Sequence, residues 1–190
     1  MISSPSRLWR PARGGICVKF HRVLFVVFSG LVLAAPVGAQ DKPSFSQVST
    51  ETRAVTDPYF AAYIARDWDR LEGYLADSGG FADPTATLVF GPVEFEGKAA
   101  TMKNFREGYA AITQMAFRPL RAFVAGDHAI YEGELDWTLE LGDGKQAVTA
   151  GMPFMTVLRV VDGHVEEHRD YADYTPFLAA MRAAREAKRD

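Results

Sequence analysis

From Phe117 to Ala172 the chain reads as strands, and over 128–141 and 163–172 apolar and polar side chains alternate. That is the period of extended strands with one face on a core and the other toward water. Three breaks interrupt it, at Gly126-Asp127, Gly142-Asp143-Gly144 and Asp162-Gly163. Each is a hairpin signal, because glycine takes positive φ without strain. Four antiparallel strands are therefore predicted, over 117–125, 128–141, 147–161 and 163–173. In the second, Tyr131, Leu135, Trp137 and Leu139 oppose Glu132, Glu134, Asp136 and Glu140. The third is apolar on both faces, the mark of a central strand covered on two sides. In the last, His164, Glu166, His168 and Asp170 share one face, and Val165, Glu167, Arg169 and Tyr171 the other.

Upstream the period lengthens to that of helices. Thr56 or Asp57 can cap one, with Pro58 in its first turn and Tyr59, Phe60, Tyr63 and Ile64 on one face. Asp67 or Asp69 starts a second, short helix carrying Trp68, Leu71, Tyr74 and Leu75, which Asp77-Ser78-Gly79-Gly80 ends. Residues 81–90 read as extended, with Pro84 barring a regular central strand. Gly97-Lys98 opens a third helix whose Met102, Phe105, Tyr109, Ile112 and Met115 form a buried stripe. That stripe reads as core, not as a cofactor box. Pro176-Phe177-Leu178 begins a short terminal helix. Strands follow helices instead of alternating with them, so the fold class is α+β. A curved, cone-like sheet wrapped on three helices leaves a hollow, and such concave, mostly apolar sites take small molecules.

The N-terminal 39 residues follow another pattern. Arg7, Arg10, Arg13, Lys19 and Arg22 precede a 15-residue apolar run from Val23 to Val37, and Val37-Gly38-Ala39 supplies small residues before Gln40. This predicts a secretory signal peptide over 1–39, cleaved after Ala39, and a periplasmic or secreted protein. The run is short of the roughly 20 residues of a spanning helix, so no stable membrane insertion is expected after cleavage. The leader carries five basic and no acidic residues, leaving 16 basic against 24 acidic, a net charge of −8. Nucleic acid, which demands a basic face, is a poor partner. The leader also holds the single cysteine, Cys17, so a core must supply stability without a disulfide. Residues 40–53 read as a polar tether, and 54–190 as one domain of ordinary size. The doubly apolar strand 147–161 further predicts a homodimer packed through the sheet.

Chemistry concentrates on the last strand. A histidine and a carboxylate two residues apart on one face are either a wet rim or a lined pocket. His164 and His168 stand about 13 Å apart at ~3.3 Å per residue, too far for one ion, so no metal is expected. No glycine-rich phosphate loop and no Gly-x-Ser-x-Gly elbow occur, and no cofactor is expected.

Four segments carry a resemblance: Tyr59-Phe-Ala-Ala-Tyr-Ile-Ala-Arg-Asp-Trp-Asp-Arg-Leu71, Phe81-Ala-Asp-Pro84, Phe95-Glu-Gly-Lys98, and Gly163 with Arg169-Asp-Tyr-Ala-Asp173. Together with the order of elements they resemble the nuclear-transport-factor-2-like superfamily, which includes SnoaL-like polyketide cyclases, limonene-epoxide hydrolases and ketosteroid isomerases. The resemblance implies that Asp170 stands where the hydrolases place a water-activating carboxylate, with Asp136 near their proton donor. The chain departs from that pattern with Glu134 in place of an arginine, and with Phe81 and Asp83 in place of a tyrosine and an asparagine. Against the isomerases, Tyr59 matches an oxyanion donor and Asp83 a proton shuttle, while no carboxylate lies near Phe154 to Thr156. The implied catalytic group is Asp170 as base and Asp136 as acid, with His168 and Asp83 auxiliary. Tyr59, Trp68, Met102, Phe105 and Phe154 are the expected pocket contacts for a small apolar molecule. A binding or assembly module of the same fold, without catalysis, is the other reading; an enzyme should show at least one carboxylate with a raised pKa inside an enclosed cone, and a module should not.

Overall fold

The computed structural model describes residues 42–186. The leader predicted over 1–39, its cleavage point and residues 40 and 41 lie outside them. The first helix, α1, runs Phe45–Ala65. It begins earlier than the Thr56–Pro58 signal suggests, so residues 45–53 of the expected tether are helical. The cause is local. The Ser44 hydroxyl accepts from the Gln47 N–H while the Gln47 side chain returns to the Ser44 N–H, a capping box. Pro58 then falls inside the helix. Its lost N–H is tolerated because one stripe of the helix, Thr52, Thr56, Tyr59, Phe60, Ala62 and Tyr63, is buried. Arg66, left-handed at φ 55°, closes α1, and Asp67 caps the short α2, Trp68–Glu72.

The chain next enters a strand, β1, Leu75–Ala82. Asp77-Ser78-Gly79-Gly80, expected as a helix-ending turn, forms its middle. Gly79 is there for space: a Cβ would sit 2.7 Å from Leu75 Cδ1 and 2.8 Å from the Val165 carbonyl oxygen. Asp83 caps a single 3-10 turn, Pro84–Ala86, continuous with α3, Thr87–Phe90. The stretch expected as extended over 81–90 is thus extended only to Ala82. A two-residue strand, β2, Glu94–Phe95, precedes α4, Lys98–Lys103, which widens into a π turn at Asn104–Gly108. The helix ends there, so Ile112 and Met115 belong to β3, Ile112–Ala125. The rest follows the alternation: β4 His128–Glu140, β5 Gln146–Val161, β6 His164–Ala172 and α5 Thr175–Glu186.

The sheet has six strands in the order β2-β1-β6-β5-β4-β3. All pairs are antiparallel except β1 with β6, which is parallel. The helices cover one face. Tyr59, Tyr63, Leu71, Leu75, Phe105, Leu135, Met152, Leu158 and Val165 are buried in the core between them. Among the described residues nothing covers the other face of β5. Met155 and Val157 lie there half-buried, and Leu120 (74%) and Phe123 (50%) are exposed on β3, across β4 from them. Among the described residues no helix is long and apolar enough to cross a membrane.

Register between β3 and β4 depends on Gly133. It faces Pro119, beside a bulge in β3, and a Cβ there would overlap the carbonyl oxygen of Arg118. Gly133→Ala is therefore expected to destabilise the domain by about 1–3 kcal/mol through overpacking. Urea unfolding with an unchanged m-value would measure it, and a midpoint equal to that of the native chain would refute the steric account.

Candidate functional site

The strand alternation of β6 puts His168 and Asp170 on the sheet's inner face, and both are buried, at 1% and 2% exposure. The helix period of α1 puts Tyr59 and Tyr63 one turn apart on the face that meets them. Thr156 on β5 is in register with Asp170. These five side chains form one network. Asp170 Oδ1 lies 2.8 Å from His168 Nε2 and also accepts from the Thr156 hydroxyl. Its Oδ2 accepts from the Tyr63 hydroxyl at 2.6 Å. On the far side of the imidazole, Nδ1 is 2.9 Å from the Tyr59 hydroxyl. A neutral imidazole with its proton on Nε2 satisfies every contact, donating to Asp170 and accepting from Tyr59. The rings of Tyr59, Tyr63 and Phe81 meet the imidazole edge-on at centroid distances of 4.7–5.5 Å. A carboxylate thus sits inside an aromatic core, held by three donors.

The network extends one step further. Tyr63 Oη lies 2.7 Å from Tyr109 Oη. Tyr109 follows the π turn, and π turns widen a helix locally, often at functional sites. It lines a cavity of about 320 Å³. The cavity wall is mostly aromatic and aliphatic: Phe81, Phe90, Val93, Phe95, Tyr109, Ile112, Trp137, Leu139 and Tyr174, with Asp83 and Asn104 as further polar residues. Asp83 is 4% exposed. Its Oδ1 accepts from the Thr85 N–H and hydroxyl and from the Ala86 N–H, and its Oδ2 accepts from the Tyr174 hydroxyl at 2.5 Å.

The expected group of acids is therefore divided. Asp170 and His168 come together as predicted. Asp136 does not join them: it lies on the opposite face of β4, paired with Arg118 and accepting from the Gly151 N–H. The alternation of β4 already sets Asp136 opposite Tyr131 and Leu135. Asp83 reaches the cavity wall, where it caps a turn and holds Tyr174. The expected contacts Trp68, Met102, Phe105 and Phe154 are core side chains and do not line this cavity, and Tyr59 serves His168. Sequence reasoning missed Tyr63, Tyr109 and Thr156. A usable signal existed, since a phenol on the buried stripe of α1 must find a partner for its hydroxyl.

Five phenols are held above the usual tyrosine range, all chiefly by burial. For Tyr59, Tyr63 and Tyr109 the charge of Asp170 adds to this; for Tyr174 that of Asp83, and for Tyr131 its bond to Asp57. All five are neutral donors at physiological pH.

The sequence pattern of the SnoaL-like domain family matches residues 57–168, and the chain belongs to that family. No protein of curated function matches it. Among solved structures, a protein described as a SnoaL-like polyketide cyclase from Shewanella denitrificans has a TM-score of 0.61 at 17% identity, over 70% of this chain and 97% of its own. An LEH-like epoxide hydrolase of M. tuberculosis gives 0.55 at 16% identity, over 73% and 95%. A protein with a ketosteroid isomerase-like fold from Catenulispora acidiphila, in complex with trimethylamine, gives 0.54 at 19%, over 66% and 90%. At these identities the likeness is one of fold, that of the nuclear-transport-factor-2-like superfamily.

The raised phenols fix an alkaline limit. A pKa raised above its unfolded value, about 10 for tyrosine, contributes stability that is present below that value. The contribution is lost as pH climbs from there toward the folded pKa. Tyr59, Tyr63, Tyr109, Tyr131 and Tyr174 should stay un-ionised in the folded protein at pH 10.5. They should then ionise together, in one cooperative step coincident with loss of circular dichroism. Absorbance at 295 nm would follow this. Five gradual ionisations with the fold intact would contradict the burial.

Proposed function

We propose that this SnoaL-like domain binds a small, largely apolar molecule in the aromatic cavity and acts on it by proton transfer. The observation that supports this is the unbroken chain of hydrogen bonds from Asp170 through Tyr63 to Tyr109 on the cavity wall. In this reading Tyr109 is the group that touches the substrate. A proton leaving the substrate is taken by Tyr109 Oη, as the Tyr109 proton passes to Tyr63 and the Tyr63 proton to Asp170. Each oxygen gains one proton and loses one except Asp170, the terminal acceptor. His168 and Thr156 position that acceptor through its other oxygen. Running the chain backward returns a proton to a different atom of the substrate. Cyclase, isomerase and hydrolase chemistry all need such transfers.

A second reading has its own support. Neither Asp170 nor His168 reaches the cavity wall, so the network also reads as a satisfied polar core beneath a binding pocket that performs no chemistry. The two readings part in one experiment. A compound panel screened on the purified protein by thermal shift would first supply ligands, and each ligand would then be assayed for turnover. Proton transfer predicts that Asp170→Asn and Tyr109→Phe each lower kcat by about 10²–10⁴-fold. The double variant should lose no more than the worse single one, because the groups act as a unit. Ligands that bind and are never altered would leave the binding reading standing, and turnover that either variant keeps in full would overturn the proton chain as its route.

Export and pairing belong to the same proposal. The basic start and apolar run of 1–39 support a leader removed on the way to the periplasm or medium. The uncovered sheet face supports a homodimer. Its charges are already matched within the chain, Arg121 with Glu132, Arg118 with Glu134 and Arg159 with Glu167. Two such faces can therefore meet around Leu120, Phe123, Met155 and Val157 without burying an unpaired charge. Protein recovered from an exporting bacterial host should begin at Gln40 and scatter light as a dimer at micromolar concentration. An intact leader would overturn the first statement, and a monomer mass the second.

A further inference from the structure

Proton accounting along the hydrogen-bond chain constrains what the cavity can hold. A carboxylate only accepts, and a phenol has one proton to give. Tyr63 gives its proton to Asp170 Oδ2. It has none left for Tyr109, so across the 2.7 Å between the two phenol oxygens Tyr109 must be the donor. The Tyr109 proton is then turned inward, and the capacity left on its oxygen is that of an acceptor. Tyr174, on the same wall, is in the same state, its proton given to Asp83 Oδ2 at 2.5 Å. Two buried carboxylates thus orient both phenols of a mostly apolar cavity. Trp137 and Asn104 also line the wall.

We infer that the cavity selects an apolar molecule carrying a hydroxyl or N–H donor toward Tyr109, and that Asp170, which the ligand does not touch, sets this preference. The inference rests on the reading of the cavity as the ligand site. It goes further by naming the ligand class and the residue that dictates it.

Asp170→Asn tests the orientation from a distance. Asp170 Oδ1 accepts from both His168 and Thr156, so the amide oxygen takes that side and the amide NH₂ faces Tyr63. The NH₂ then donates to Tyr63, Tyr63 donates to Tyr109, and the Tyr109 proton turns to the cavity. The probes are 2-naphthol and 2-methoxynaphthalene, which share a ring system and differ in the donor. Calorimetric titration of the native protein should give 2-naphthol about five- to tenfold tighter, the worth of one neutral hydrogen bond. Tyr109→Phe should close that gap by weakening the naphthol. Asp170→Asn should close it the other way, by tightening the ether, an effect that loss of packing would not produce.

Equal affinities in the native protein would overturn the inference and leave the cavity reading intact. So would a folded Asp170→Asn protein that keeps the native gap. If Asp170→Asn does not fold, Tyr109→Phe decides alone, and a preference that survives it sinks the inference. Failure of both probes to bind the native protein would overturn the cavity reading and the inference with it.

Discussion

The structure turns on one constraint, a carboxylate placed where water cannot reach it. Asp170 lies among Tyr59, Tyr63, Phe81, Phe105 and His168, and removing its charge from water without partners would cost several kcal/mol. The fold supplies those partners from three separate elements: β6 itself through His168, β5 through Thr156, and α1 through Tyr63. Each bond fixes a relation between elements that apolar packing alone would leave loose. Thr156 locks the β5–β6 register, since a slip of one residue would turn its hydroxyl to the other face. Tyr59 and Tyr63 lock the rotation of α1 on the sheet, since only one face of that helix offers two phenols one turn apart.

This accounts for features that local propensity does not favour. Pro58 stands inside α1, and breaking the helix there would have been the local solution. Continuing it carries Tyr59 and Tyr63 onto the His168–Asp170 pair, and tertiary contacts decide against propensity. The π turn after α4 is the same kind of compromise. An ordinary helical turn would place Tyr109 differently relative to Tyr63, and the wider turn brings the two hydroxyls to 2.7 Å.

Much of the fold was legible because alternation is a strong signal. The four-strand meander, the shared face of His168 and Asp170 and the membership of the superfamily follow from period and motif, whereas period alone left open whether that face points to water or to the core. What was lost has specific causes. The start of α1 was hidden by serines and threonines that read as a tether, although Ser44 and Gln47 hold the capping-box spacing. The strand character of 75–82 was hidden by Gly79 and Gly80, which are there because backbone and Leu75 crowd them, not to make a turn. Asp136 was misplaced by resemblance against its own strand parity, which put it on the outer face with Glu132 and Glu134. The cavity walls were missed because they come from pieces distant in sequence, α3, the π turn, β4 and the start of α5, and no period connects those.

The position of the acid also bears on the proton chemistry proposed for the apolar cavity. Asp83 stands in the wall with Phe81, Phe90, Val93 and Leu139 because a capped turn and Tyr174 satisfy both its oxygens; a wall carboxylate without such donors would be left unsatisfied whenever an apolar ligand displaced water. One layer back, Asp170 keeps its donors whether the cavity is full or empty. The two tyrosines between them stay neutral because burial and the neighbouring charge both oppose ionisation. A neutral phenol can bridge a dry cavity and a charged core, because it accepts a proton on one side while releasing one on the other. The arrangement thereby separates two demands that conflict at a single residue: apolar contact with a ligand, and full hydrogen bonding of a buried charge.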